Sequence, residues 1–342
     1  MKKIVYVIAA FAALCACSKD FESGSHEMKP VTLKFDVGVE GTKAYVNDES
    51  DKALDKVQVM VFNSQGDLET TSDYVSSGTQ LSLSVIPGTK TLWAVGNLPS
   101  ECDPDDLEDL LSQEYLLTAN TPSKMLMSER KQVTITQSGS IQFNLQRLAC
   151  KIVIEKIVRN FNQAAYAEIP LYIKKIYLSN VSNLANIAAA AGVPSNFCVQ
   201  KGVIGNLNAA GKALLVDEGL NETLYDGTTY STAHTFYAYP NGVTSDSFGG
   251  DSFNPRRTRL IVECEYNGSP CYYPITLPGV VEGSRGVLER NKVYRITQLT
   301  LLRPGAPNPD EPEGEVSSLQ TCTFTIQADS WNMGHSYTET FS

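Results

Sequence analysis

The sequence predicts an all-β protein made of β-sandwiches, and three observations support that prediction. Many short segments carry apolar residues at every second position, which is the period of a strand with one buried face. Residues that favour turns, chiefly Gly, Pro, Asn and Asp, separate these segments. Helical periodicity is rare, and the chain of 342 residues is long enough for about two domains.

Composition and charge are those of a folded, acidic protein. Hydrophobic residues make up 42% of the chain and charged residues only 19%, so wholesale disorder is not expected. The formal net charge of -10 argues against a protein that tracks nucleic-acid phosphates, so we expect no nucleic-acid partner. Such a surface suits a protein exposed outside a cell.

The strongest strand pattern lies near the start of the chain, at Val31–Val39. Apolar residues alternate there with polar or small ones; they are Val31, Leu33, Phe35, Val37 and Val39. A short polar segment with one basic residue follows the strand, and its last two residues are Lys43 and Ala44.

A second alternating segment lies near the end of the chain, with Cys322, Phe324 and Ile326 on one face. It follows a spacer rich in proline and acidic residues, 303–315, which we expect to be extended and solvated. We interpret the first strand as a removable plug and the last strand as the segment that a neighbouring copy inserts in its place. The alternative is that both are ordinary edge strands of one monomer.

The other elements of the first half follow from the same patterns. Strands are predicted at 56–62, 81–85, 91–95, 133–136 and 141–145. One helix is predicted to begin with Asp103 as its N-cap and Pro104 in its first turn. A fresh strand that starts at Arg147 marks the predicted domain boundary.

The second half continues with strands and one short helix. Strands are predicted at 147–154, 171–178, 235–239, 259–266, 271–277 and 293–302. Residues 184–191 are rich in alanine and predict a short helix within a long loop region.

The pair Asn267-Gly268 is a strong signal for a two-residue hairpin turn. Counting outward from this turn places Cys264 opposite Cys271. The two cysteines can form a disulfide across the hairpin, because directly opposed residues lie within disulfide range. They can equally remain two buried free thiols, and the sequence leaves both alternatives open.

Residues 1–17 have the features of an export signal. Two lysines precede an apolar run that is too short to span a bilayer. The run ends in Leu14-Cys15-Ala16-Cys17, which resembles the lipobox of bacterial lipoproteins. The resemblance implies cleavage before Cys17 and acylation of its thiol, which would hold the protein on a membrane. The alternative is an ordinary signal peptide.

Motifs of catalysis and of cofactor binding are absent from the sequence. It contains no GxSxG, HExxH, P-loop or GxGxxG motif, and no paired CxxC motifs of the kind that bind zinc. The three histidines, His26, His234 and His335, are far apart and share no motif. We therefore expect a binding or structural protein without a cofactor or metal, and not an enzyme.

Several segments, in order across nearly the whole chain, resemble the fimbrillins of Bacteroidales, the lipoprotein pilins of type V pili. They are the lipobox at Cys17, the first strand followed by Thr42-Lys43-Ala44, VMVFNSQGDLE (59–69), LWAVGNLP (92–99), LQRLACKIVIE (145–155), LYIKKIYLSN (171–180), TFYAYPN (235–241), RTRLIVECEYNG with YYPITL (257–277), LERNKVYRITQLTLLRPG (288–305) and ADSW (328–331). Each segment alone is a weak match, and their shared order makes the resemblance specific.

The resemblance implies two tandem transthyretin-like β-sandwich domains. In this chain they would cover residues 18–147 and 148–303, after a lipoprotein signal peptide at 1–17. Residues 31–43 would form a removable first strand, and residues 304–342 would hold the acidic spacer and the donor strand.

The resemblance also implies how such a chain would assemble. A trypsin-like or Arg/Lys-specific protease would cut between Lys43 and Ala44, where the family usually carries Arg. The C-terminal segment of another copy would then fill the groove left by the first strand.

The implied function is a structural subunit, most consistent with the stalk, of a cell-surface fimbria that supports adhesion. The implied partners are other copies of the chain, tip and anchor subunits, the outer membrane before processing, and host or bacterial surface ligands. The alternatives are a tip adhesin subunit and a monomeric surface lipoprotein that binds glycans.

Overall fold

A computed structural model describes residues 29–39, 53–199, 207–245, 257–278, 280–281, 284–309, 322–331 and 340–341. These residues are mostly strands, so the all-β prediction is confirmed. Within them, no helix is both long enough and apolar enough to cross a membrane.

In the first half of the chain, the part that the structure describes forms nine strands and one short helix. The strands are β1 (Val31–Val39), β2 (Lys56–Phe62), β3 (Leu68–Thr71), β4 (Val75–Ser76), β5 (Leu81–Val85), β6 (Gly88–Gly96), β7 (Glu114–Leu116), β8 (Met127–Ile135) and β9 (Gly139–Arg147). The helix is α1 (Leu107–Ser112), and a 3₁₀ turn follows at Leu117–Ala119.

Eight of these strands form the N-terminal sandwich. Their hydrogen-bonded order is β3-β2-β6-β8-β9-β1-β5, and β4 pairs with β2. The β8 and β9 strands share only two residue pairs, Met127–Arg147 and Ser128–Gln146. The order therefore divides there into one sheet around β2 and β6 and another around β1, with buried residues of both in the core.

The described residues of the second half form sixteen strands and two short helices. The strands are β10 (Cys150–Ile154), β11 (Ile157–Arg159), β12 (Leu171–Ser179), β13 (Val181–Ser182), β14 (Leu184–Asn186), β15 (Phe197–Cys198), β16 (Val216–Leu224), β17 (Thr229–Tyr230), β18 (His234–Ala238), β19 (Arg259–Tyr266), β20 (Ser269–Thr276), β21 (Val280–Val281), β22 (Ser284–Arg285), β23 (Lys292–Leu301), β24 (Cys322–Ser330) and β25 (Thr340–Phe341). The helices are α2 (Ala164–Ala167) and α3 (Ala209–Leu215).

These strands form a C-terminal sandwich with the same plan. One sheet has the order β16-β12-β19-β20, and the other has the order β17-β11-β23-β10-β18. In each sandwich the first strand runs parallel to a strand from late in the same half of the chain, β1 with β9 and β10 with β23. The β24 strand adds to the outer side of β23 and in turn pairs with β25.

The predicted helix of the first half starts later than the sequence suggested. The N-cap is Asp106, whose carboxylate accepts the amide of Asp109 at 2.8 Å, and not Asp103. The preceding residues serve another contact, because the carbonyl of Asp105 accepts the amide of Leu68. The tertiary contact therefore moves the helix start by three residues.

The predicted Ala-rich helix at 184–191 is wrong. Leu184–Asn186 is a strand that pairs with Glu114–Leu116 of the other half. The Asn186 side chain then accepts the amides of Ala188 and Ala189, and Ala189 has φ 42°. A local Asn turn thus replaces the helix.

Candidate functional site: the first and last strands

The first strand lies inside its sheet and not at an edge. The β1 strand pairs antiparallel with β5, from Val31–Val85 to Phe35–Leu81. On its other side it pairs parallel with β9, from Leu33–Gly139 to Val39–Leu145. Removal of β1 would therefore leave the backbone groups of both neighbours unpaired.

The inward side chains of β1 fill the core of the N-terminal sandwich. Leu33 is 2% exposed and Phe35 is 4% exposed. The ring of Phe35 lies 6.2 Å from the ring of Phe143 on β9. The other three predicted plug residues, Val31, Val37 and Val39, are half-buried and pack against the same core.

The outward side chains of β1 are in solvent. Thr32, Lys34 and Asp36 alternate with the buried residues and are all exposed. The strand is therefore held by its two neighbours and by one face only. The predicted cleavage positions Lys43 and Ala44, and the predicted lipidation residue Cys17, lie outside the described residues.

The last strand lies on the other sandwich. The β24 strand pairs antiparallel with β23, with Cys322 opposite Leu301, Phe324 opposite Leu299 and Ile326 opposite Ile296. Of these predicted donor residues, Ile326 is 1% exposed, whereas Cys322 and Phe324 are half-buried. Within one chain the predicted plug and donor residues therefore lie in different sandwiches.

The start of the spacer is fixed to the C-terminal sandwich. Ala306 and Tyr272 exchange two backbone hydrogen bonds of 2.8 Å, and the Tyr273 hydroxyl donates to the Arg303 carbonyl at 2.8 Å. A Cβ on Gly305 would lie 2.5 Å from the carbonyl oxygen of Tyr272, so only glycine fits this close approach. The spacer is thus anchored before it leads to β24.

The cysteine hairpin has the predicted register. Asn267 and Gly268 both have positive φ, 50° and 74°, as a type I′ turn requires. Cys264 lies opposite Cys271, and both side chains are buried. Burial raises the pKa of the Cys264 thiol well above its usual value and also raises the pKa of Cys271. The disulfide between them stays a prediction.

A cluster around Arg290 and Trp331, where the two sandwiches meet, has no role predicted from the sequence. The Arg290 guanidinium donates to the carbonyl oxygens of Arg147 and Ser128 at 3.1 Å each, and of Ile187 at 3.2 Å. Trp331, at the end of β24, contacts this junction through its ring and its backbone. The sequence contains these residues in the segments 288–305 and 328–331 but does not indicate that they meet.

Sequence comparisons give no match for the chain. No protein-family model matches it, and no curated protein is similar enough in sequence to count as a relative.

Solved structures do match, along nearly the whole chain. A fimbrilin (FimA) from Porphyromonas gingivalis W83 has a TM-score of 0.63 at 17% identity, covering 90% of this chain and 99% of that one. A putative cell adhesion protein from Bacteroides eggerthii has a TM-score of 0.62 at 17% identity, covering 89% and 96%. A second protein of that description, from Parabacteroides distasonis, has a TM-score of 0.63 at 14% identity, covering 91% and 99%. The chain therefore has the all-β fold of fimbrilins and cell adhesion proteins of Bacteroidales.

Proposed function

We propose that this chain is a structural subunit of a cell-surface fimbria and forms the stalk by strand exchange between copies. The observation that carries the proposal is the position of β1 between β9 and β5. Loss of β1 would leave two unpaired strand edges and an apolar groove, which together form a template for another strand. The fold shared with a fimbrilin supports this role.

The β24 strand has the alternation that such a groove requires. In a parallel exchange, Phe324 would take the place of Phe35 and Ile326 the place of Val37. Phe324 would then lie beside Phe143, as Phe35 does in the single chain. Each large apolar side chain that is buried contributes about 1.5–3 kcal/mol, and the backbone hydrogen bonds of the incoming strand add to this.

One plug and one donor in every copy lead to an open filament. The contact is head-to-tail and does not close on itself, so growth continues as long as subunits are supplied. The presence of both segments favours a stalk subunit over a tip subunit, which needs no donor strand. The role is structural, and we propose no catalytic activity.

Processing would precede assembly. We propose export as a lipoprotein acylated at Cys17, placement at the outer membrane, and cleavage between Lys43 and Ala44 at the cell surface. The partners are then other copies of the chain together with tip and anchor subunits. Surface ligands on host or bacterial cells would be reached through the assembled fimbria.

Limited trypsin treatment of the purified chain without residues 1–17 tests the proposal. We expect a new N-terminus at Ala44, followed by ladders that resist SDS on a gel. Lys43→Gln should prevent both, whereas the matched change Lys34→Gln, on the exposed face of β1, should prevent neither. Deletion of residues 321–342 should allow cutting and abolish the ladders.

Three outcomes would contradict the proposal. Ladders that persist without residues 321–342 would mean that β24 is not the donor. Cutting at Lys43 that yields only monomers would favour a tip subunit or a monomeric glycan-binding lipoprotein. A chain that trypsin leaves intact at Lys43 would mean that β1 is a permanent part of the sandwich.

A further inference from the structure

The end of β24 is attached to the junction between the sandwiches by an aromatic ring. The Trp331 ring stacks on Tyr237 of β18, with centroids 5.8 Å apart and planes 20° from parallel. The Arg147 guanidinium carbon lies 4.6 Å from the Trp331 centroid, and the Lys151 ammonium lies 5.9 Å from it. Arg147 is the last residue of β9 and Lys151 is the second residue of β10, so the ring bridges both sandwiches.

A backbone contact fastens the same point. The Trp331 amide donates to the Asn291 carbonyl at 3.0 Å. The Asn291 amide donates to the Ala149 carbonyl at 2.9 Å, and the Asn291 side-chain oxygen accepts the Arg147 amide at 3.3 Å. Asn291 therefore links Trp331 directly to the segment that joins the two sandwiches.

The residue before Asn291 holds the N-terminal sandwich. Arg290 donates from all three guanidinium nitrogens to carbonyl oxygens of β8, β9 and the loop after β14. The turn at Arg290–Asn291 is thus hydrogen-bonded to three parts of the chain: to β8 and β9, to the linker at 148–149, and to the residue that follows β24.

We infer that Trp331 is an intramolecular latch that couples the docking of β24 to the rigidity of the interdomain joint. With Trp331 in place, the joint is clamped and β24 is held on its own sandwich. When Trp331 leaves, Tyr237 loses its stacking partner and Arg147 loses the ring that covers it. The linker at 148–149 then opens more often. The inference concerns the single, uncut subunit and holds whether or not that subunit polymerises.

Amide hydrogen exchange on the uncut chain measures the coupling. Trp331→Ala removes an aromatic stack and two cation–π contacts, so exchange should become about ten- to fiftyfold faster at β24 and at residues 146–151. Trp331→Phe keeps the stack and should give a smaller acceleration at both places. Phe324→Ala loosens the other end of β24, so it should accelerate exchange in β24 and leave residues 146–151 unchanged.

Two results would overturn the latch. One is faster exchange in β24 of Trp331→Ala with unchanged exchange at residues 146–151, because the joint would then be independent of the ring. The other is unchanged exchange in β24 itself.

A second measurement applies if Trp331→Ala does not fold. The chain has two tryptophans, so Trp93→Phe leaves Trp331 as the only indole fluorophore. Its emission should shift to the red at the same low denaturant concentration at which residues 146–151 begin to exchange. Two separate transitions would contradict the coupling.

Discussion

The first strands of the two sandwiches, β1 and β10, occupy the same position but are built differently. Both run parallel to a strand from late in their half of the chain, β9 or β23, and antiparallel to a second neighbour. In β1 only one face is covered, and Thr32, Lys34 and Asp36 are in solvent. In β10 all five residues are buried, including Lys151 at 6% exposure.

The two strands also differ in the connections that join them to the rest of the chain, which are long for β1 and short for β10. Residues 40–55 separate β1 from β2, whereas only two residues separate β9 from β10. These differences fit the proposed exchange, in which β1, covered on one face and followed by a long connection, is the strand that is replaced. The β10 strand is buried on both faces and joined tightly to the preceding sandwich, so we expect it to stay in place. If β1 is exchanged and β10 is not, the cover on the outer face and the length of the connection distinguish two strands that occupy the same position in their sheets.

The largest expected effect comes from emptying the inner face of β1. Phe35→Ala should lower the free energy of unfolding of the N-terminal sandwich by about 3–5 kcal/mol, because it removes a buried ring that contacts Phe143. The matched change Asp36→Ala, one residue along on the exposed face, should have no measurable effect. Chemical denaturation followed by circular dichroism measures both. A large loss in Asp36→Ala would mean that the outer face of β1 is also covered.

A smaller effect on the free energy of unfolding should distinguish the outer face of β10 from the outer face of β1. Lys151 lies 5.8 Å from the Tyr237 centroid and 5.9 Å from the Trp331 centroid. Lys151→Ala should therefore cost about 1–2 kcal/mol of unfolding free energy, through lost cation–π contacts and lost packing of the side-chain stem. Lys34→Ala in β1 should leave stability unchanged. Equal effects of the two substitutions in denaturation curves would remove the contrast between β1 and β10.

The smallest expected effect is on the loss of folding stability at alkaline pH. Tyr294 of β23 lies opposite Ile152 of β10, and burial raises the pKa of its phenol above the usual value of 10.0. Because the folded state favours the neutral phenol, its contribution to stability is complete below about pH 10 and falls as the pH rises above that value. The corresponding neighbour of β1 is Phe143, which does not titrate.

Tyr294→Phe should therefore reduce the loss of stability between pH 9 and pH 11 by about 1 kcal/mol. Urea denaturation at the two pH values gives this difference. Tyr74→Phe serves as a comparison in the N-terminal sandwich, where burial, helped by Asp55, raises the pKa of a partly exposed tyrosine to about 12. A pH dependence unchanged by Tyr294→Phe would mean that this phenol ionises equally easily in the folded and unfolded chain.

Local patterns predicted the strands and one register well. The hairpin around Asn267-Gly268 is the best case, because a two-residue turn with two positive φ angles fixes the pairing of every residue beyond it. The alternation in β1 likewise predicted that Leu33 and Phe35 face the core. Both features depend on residues that are close in sequence.

Features that depend on distant residues were not predictable in this way. Nothing in β1 indicates that it runs parallel to β9, about a hundred residues further along, because the pairing partner is set by the whole sandwich. The composition of the Ala-rich segment predicts a helix, but the structure has a strand there. The strand forms because it pairs with β7, which lies in the other half of the chain. The sequence places Trp331 in the segment ADSW but does not indicate its contacts, because its partners Tyr237, Arg147 and Lys151 are almost a hundred or more residues away.

The parallel pairing of β10 with β23 has a mechanical consequence. A pull on the C-terminal sandwich acts at the start of β10 and at the end of β23, which lie at opposite ends of the paired strands. The two strands are then drawn past each other along their length. All of their hydrogen bonds bear the tension together, whereas strands peeled apart from one end lose their bonds one at a time. A sandwich connected in this way resists stretching along the direction in which a fibre would carry load.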